Sequence, residues 1–162
     1  MEIARVNDNS IRVKSKNASF IFNPDKKVEE VAIFTKKPTD YNQLSDQIVI
    51  DAPGEYEVSG VSIKVEKQGE GLAFEFFEEG QKLVVLSSAS SISSSEVEDA
   101  TAVVVFLTGG SGNEVSKIAC DIVAVVGSEE NLPQDRSNIQ KADKINLRKA
   151  EEYKGFIVHL SK

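Results

Sequence analysis

The chain of 162 residues contains one histidine and one cysteine, and this shortage excludes more chemistry than any motif supplies. A zinc site made of imidazole or thiolate would have to join His159 and Cys120, far apart in sequence, and complete its shell with carboxylates. Cys120 has no partner for an internal disulfide, and within the apolar run KIACDIV it reads as a buried, inert thiol. His159, in FIVHLSK, reads as a strand residue, hydrogen-bonded or facing solvent, rather than as a ligand or general base. No stretch offers the run of about 18 apolar residues that a membrane span needs, and MEIARVNDNS lacks the apolar core of a secretion signal. A cytoplasmic protein with no membrane partner is therefore expected. The basic residues form no stripe and the net charge of −7 opposes a phosphate backbone, so nucleic acid is not an expected partner. Neither G-x-x-x-x-G-K-[ST] nor G-x-S-x-G occurs, which removes the nucleotide P-loop and the serine nucleophile elbow.

What remains is a soluble composition patterned mostly with period two. EIARV, SIRVK and ASFIF read as three strands in a meander, and Val31–Phe34 as a short strand covered on both faces. Further strands are expected at 47–51, 55–58, 61–67, 72–78 and 81–86, with Ser59-Gly60 and Glu79-Gly80 as two-residue hairpin turns. Pro53-Gly54 suggests a type II turn, with positive φ at Gly54. Ser93 and Glu96 have capping-box spacing, so a short helix is expected near Ser94. Ala102–Leu107 and Ile122–Val126 read as buried strands flanking a helix from Glu114 to Cys120, where Val115, Ile118 and Ala119 share one face. A strand near 142–147, a polar helix near 149–153 and a last strand at 156–160 complete the chain. No internal repeat and no linker stand out, so residues 1–162 are expected to form one domain.

The segment IVIDAPGEYEVSGVSI, from Ile48 to Ile63, resembles the lactonase-like branch of the metallo-β-lactamase superfamily, whose members carry a similar PGEYEV-G-V-I block. The resemblance implies an α/β (α+β) fold: an αββα sandwich of two mixed sheets flanked by few short helices. It also implies a metal motif, HxHxDH, directly after the strand at Val31–Phe34. Here that stretch is TKKPTDYN: Lys36 and Pro38 stand at the first two His positions, Asp40 at the Asp and Tyr41 at the last His. Only the carboxylate remains. Lys36 is a cation without a free lone pair, and Pro38 has no donor atom. The family's bridging Asp corresponds to Ser87-Ser88, its later His to Gly127-Ser128, its early Gly-His-Ser to Asn7-Asp8-Asn9 and its Asp-Pro to Asn23-Pro24.

Other candidates have a plain structural reading beside the chemical one. Ser87 to Ser95 holds seven serines but no adjacent base, so a polar loop is expected. TGGSGNE could cradle an anion at a helix start, although a structural turn accounts for it as well. Glu55 and Glu57 share a strand face and, with Asp51, could form an acidic wall or a solvated surface. Two functions follow. The first is a metal-free, non-catalytic member of the fold, a binding or assembly module that needs no cofactor. Its vestigial pocket would be formed by Asp8, Lys36, Asp40, Tyr41 and Ser88, with Pro53 and Gly54 as the structural turn. It would take a small anionic ligand or a protein partner, with homo-oligomers left open. The second is a metal-dependent hydrolase of lactones or phosphoesters, holding a hard cation through Asp8, Asp40 and backbone or water oxygens.

Overall fold

A computed structural model of the chain describes every residue except 45, 91, 93–96, 108–111 and 162. The strands are β1 (Glu2–Asn7), β2 (Ser10–Lys14), β3 (Ser19–Phe22), β4 (Val31–Ile33), β5 (Val49–Ile50), β6 (Gly54–Val58) and β7 (Val61–Gln68). They continue with β8 (Gly71–Glu78), β9 (Gln81–Leu86), β10 (Ala102–Phe106), β11 (Val123–Val126), β12 (Ile139–Ala142), β13 (Lys144–Asn146) and β14 (Ile157–Leu160). A six-stranded sheet runs β13-β1-β2-β3-β4-β5 and an eight-stranded sheet runs β12-β14-β11-β10-β9-β8-β7-β6. Both are mixed. Strands β3 to β5 are parallel, as are β9, β10, β11, β14 and β12, whereas β6 to β9 form an antiparallel meander.

The sequence pattern explains this division. VSIKVEKQ alternates because only one face of β7 enters the core, while LVVL, AVVVF and VAVV are continuously apolar because the parallel strands are covered on both faces. The main core lies between the sheets, where Phe20 and Phe22 of β3 meet Phe74 and Phe76 of β8 with ring centroids 5.2 to 5.9 Å apart. A second cluster, including Val84, Val103, Val105 and Val125, fills the outer face of the parallel strands beneath Ala89, Val97, Val115 and Leu132. No helix among the described residues is long and apolar enough to cross a membrane.

Several expectations are corrected. The helix expected from Glu114 to Cys120 is a single turn, α1 (Gly112–Val115). It is followed by i→i−3 bonds from Lys117 to Glu114 and from Ile118 to Val115, because only a few residues remain before the chain must enter β11. The strand expected near 142–147 is two strands, β12 in one sheet and β13 in the other, so the chain changes sheets at Asp143. Residues 147–153 form a 3₁₀ segment, and the helix start expected at Ser94 falls outside the described residues.

The Pro53-Gly54 turn differs too. Gly54 has φ +155°, far from the roughly +80° of a type II turn, and it opens β6 by pairing with Val65. That φ is open to glycine but not to asparagine, whose tolerance is for φ near +57°. A Cβ at Gly54 would touch the Tyr56 ring at 3.4 Å, an ordinary contact, so the cost of substitution is backbone strain. Gly54→Val and Gly54→Asn should therefore destabilise alike, by about 1–3 kcal/mol. At Gly60, with φ +83° and open space around it, Asn should be milder than Val. Denaturant titration of the four variants checks both statements, and a clear advantage of Asn over Val at Gly54 would restore the type II turn.

Candidate functional site

The parallel strands of both sheets end on one rim, the usual place for a site in sheets of this kind because the chain leaves there in variable loops. Close approach of the two sheets shapes it. Leu72 N–H donates to Thr35 O at 3.0 Å, joining the start of β8 to the end of β4. Gly71 permits this, since a Cβ there would lie 2.7 Å from Ser87 Cβ and 3.0 Å from Thr35 O. Asn23, at φ +47°, accepts from Thr35 N–H and Oγ1, both at 3.0 Å, and donates to Asn9 O at 3.2 Å. Opposite, Arg5 of β1 donates to Leu160 O of β14 at 3.1 Å and to Asn7 O at 3.2 Å, and its guanidinium also pairs with Asp8.

Each proposed pocket residue follows a strand end at this rim, and most are engaged nearby. Asp8, exposed, is held by Arg5. Asp40 accepts Asn42 N–H at 2.8 Å and lines a recess of about 310 Å³ with Pro24, Lys26, Phe34, Pro38 and Leu44. Tyr41 donates its hydroxyl to Asp51. Ser88 Oγ shares a hydrogen bond with Ser90 Oγ at 2.8 Å and accepts Ser90 N–H at 3.2 Å, a local turn. Lys36 is exposed and, among the described residues, forms no ion pair. No hydrogen bond or ion pair among the described residues joins any two of these five.

The hydrogen bond from Tyr41 to Asp51, with the repulsion that a phenolate would feel there, pushes the Tyr41 pKa up to about 12. The neutral phenol is thus favoured in the fold. Its contribution to stability is complete below the ordinary value of 10.0 and is lost as pH rises through about 12. An alkaline absorbance titration should show one late-ionising tyrosine, absent in Tyr41→Phe and returned toward the ordinary range in Asp51→Ala. An unchanged late phase in Asp51→Ala would remove the assigned cause.

The two residues that could bring softer ligands are committed elsewhere. His159 is 1% exposed, and its Nε2 lies 3.0 Å from Gly127 O. A carbonyl only accepts, so Nε2 carries the proton and offers no lone pair, while Nδ1 is buried without a partner. Cys120 is half-buried rather than fully buried; its Sγ–H points to Ala100 O at 3.5 Å and burial pushes its pKa up. Among the described residues no three His, Cys, Asp or Glu side chains are grouped to hold a metal ion. The residues at the rim, a lysine, a proline without any donor atom, an engaged tyrosine, a serine and two carboxylates already held by Arg5 and by a backbone N–H, do not fit zinc.

Arg5, Thr35, Gln68 and Gly71 shape the rim without any local signal marking them. Arg5 sits in an ordinary strand run yet has a side chain only 12% exposed, because it bridges residues 155 positions apart. Gln68 is buried, accepting from Ser87 Oγ at 3.3 Å with its own Nε2 unpartnered.

No known family model matches the chain, and no curated protein matches it in sequence. Solved structures do match in three dimensions. A Thermotoga maritima protein assigned to the Zn-dependent hydrolases of the metallo-β-lactamase superfamily superposes with a TM-score of 0.73 at 17% identity, covering 98% of each chain. The isothiocyanate hydrolase from Delia radicum gut bacteria gives 0.63 at 9% identity over 99% of this chain and 97% of its own. The metallo-β-lactamase fold protein YhfI from Bacillus subtilis gives 0.58 at 11% over 99% and 96%. The chain has the metallo-β-lactamase fold, the αββα sandwich that the Ile48–Ile63 segment suggested. At such identities the likeness carries the architecture and leaves activity to the residues.

Proposed function

We propose that this chain is a non-hydrolytic protein of the metallo-β-lactamase fold that works by binding, without a metal. One observation carries the reading. Where the fold's metal-binding loop leaves β4, the chain places Lys36, an exposed cation without an ion-pair partner among the described residues, and the lone histidine is buried against Gly127 O. An ammonium repels a dication and attracts an anion, so the rim suits a small anionic group better than it suits zinc. Asp8 and Asp40 do not rescue a hard-cation site, because Arg5 already neutralises Asp8 and Asp40 caps its own turn. The competing reading, a hydrolase, draws its support from the hydrolases among the structural neighbours.

Elemental analysis separates the two. The desalted protein should hold well under one zinc, iron or manganese per chain, and chelator should leave its melting curve in place, since a ligand bound only to the folded state raises stability by mass action. About one metal per chain, with a melting temperature that falls on chelation and nitrophenyl-ester hydrolysis that returns with metal, would replace the binding reading by the hydrolase.

A further inference from the structure

We propose that the free edge of β6 is a docking site for an extended segment of another protein chain carrying basic side chains at alternate positions. Strand β6 ends the eight-stranded sheet, and among the described residues it pairs with β7 alone. The turn at Ser59-Gly60, with φ of +52° and +83°, is of the two-residue hairpin kind and makes Val58 and Val61 the first hydrogen-bonded pair. Tyr56 and Gly54 then also direct their backbone groups toward β7. By alternation the N–H and C=O groups of Glu55 and Glu57 point outward along the edge, unused among the described residues.

An incoming strand would hydrogen-bond to Glu55 and Glu57, and its residues directly opposite them would lie on the same face of the sheet. That face is open to solvent. Its cross-strand row runs Glu57, Ser62, Phe77, Lys82, and the small Ser62 leaves a hollow of about 420 Å³ bordered by Glu55, Glu57, Lys64 and Phe77. Phe77 is 41% exposed there. Neither glutamate has an ion-pair partner among the described residues: Lys64 pairs with Glu66 at 2.8 Å, and Lys82 with Glu75 at 3.4 Å.

Charge decides the occupant. A second copy paired antiparallel through β6 would set Glu55 of one chain against Glu57 of the other on one face, and like charges directly opposite are destabilising. The same pair that guards the edge against self-association selects a basic strand. Arginine suits the hollow better than lysine, because its planar guanidinium forks onto a carboxylate and stacks against an aromatic ring. The net charge of −7 adds long-range attraction.

The test uses the full chain and the fluorescein-labelled peptide acetyl-Val-Arg-Val-Arg-Val-Thr-amide, followed by fluorescence anisotropy. An analogue N-methylated at alternate residues keeps the charge and loses edge donors, and a Glu-for-Arg analogue reverses the charge. Saturable binding of the Arg peptide is expected, about tenfold or more weaker to the double variant Glu55→Gln, Glu57→Gln and for the N-methylated analogue, with none for the Glu peptide. Phe77→Ser, at an exposed position, should also weaken it. Absence of saturable binding, equal affinity for the double variant, or equal affinity of the N-methylated analogue, which would mean charge without strand pairing, would overturn the proposal. So would a dimer of the chain in sedimentation that excludes the peptide, since it would give the edge to a second copy. No readout here depends on metal or hydrolysis, so this result and the metal-free reading stand or fall separately.

Discussion

Phe22→Ala should destabilise the protein by about 3–5 kcal/mol, which is a large part of the roughly 5–15 kcal/mol that holds a domain folded. Phe22 is fully buried in β3 of the six-stranded sheet, yet its ring meets three rings of the eight-stranded one: Phe74 at 5.2 Å edge-on, Phe76 at 5.9 Å and Phe106 at 6.1 Å. Truncation would forfeit burial, leave a cavity the flanking strands cannot close, and remove the edge-to-face contact in one step. Phe77, one residue beyond Phe76, points to solvent, so Phe77→Ala should stay within about 1 kcal/mol of the parent. Urea titration of both variants is the check, with the midpoint moving and the slope unchanged for Phe22→Ala. Comparable losses at Phe22 and Phe77 would mean that the sheets do not meet through these rings.

That contrast between Phe76 and Phe77 was legible in the sequence, because strand alternation puts neighbours on opposite faces. The same is true of β7 and of the hairpin turns at Ser59-Gly60 and Glu79-Gly80, where local chemistry and tertiary need coincide. Elsewhere tertiary context prevailed. Val115, Ile118 and Ala119 have helical spacing, but β11 begins too soon after them for the helix to lengthen. The sequence suggests one strand near 142–147, and only Asp143, of a strand-poor residue type, hints at the point where the chain leaves β14 for β1.

About the site the sequence argues by subtraction only: a count of one histidine and one cysteine, with Lys36 and Pro38 in the loop after β4, speaks against zinc. What the sequence could not show is how the rim is filled, because Arg5 with Leu160, and Gly71 with Thr35 and Ser87, are partners brought together by the closing of two sheets. Non-local bonds of this kind leave no spacing rule. The mirror-extended φ at Gly54 is a further case, since Pro-Gly is equally at home in a type II turn and at the entrance to a strand.

The largest change in binding is expected from writing the HxHxDH pattern into the loop after β4. Lys36→His alone should stay metal-free and inert, because Pro38, Tyr41 and Ser88 still supply no converging donors and one imidazole cannot close a coordination shell. The fourfold variant Lys36→His, Pro38→His, Tyr41→His, Ser88→Asp should gain one-to-one zinc binding, micromolar or tighter, about −8 kcal/mol or more against no saturable binding in the parent. The four positions follow the ends of β4 and β9 on the rim where Thr35, Gly71 and Ser87 lock the two sheets together, and Lys36 and Tyr41 are exposed enough to change without disturbing the core. Tyr41→His has a second effect, since it frees the Asp51 carboxylate from its phenol. Removing the Lys36 cation matters as much as adding imidazoles, because a dication would otherwise be held beside an ammonium. Isothermal titration with zinc, read beside a melting curve showing that the variant folds, settles the matter. Tight one-to-one binding by the unmodified chain would defeat the metal-free reading. A folded fourfold variant that gains nothing would mean that these residues do not occupy the positions from which this fold grips its metals.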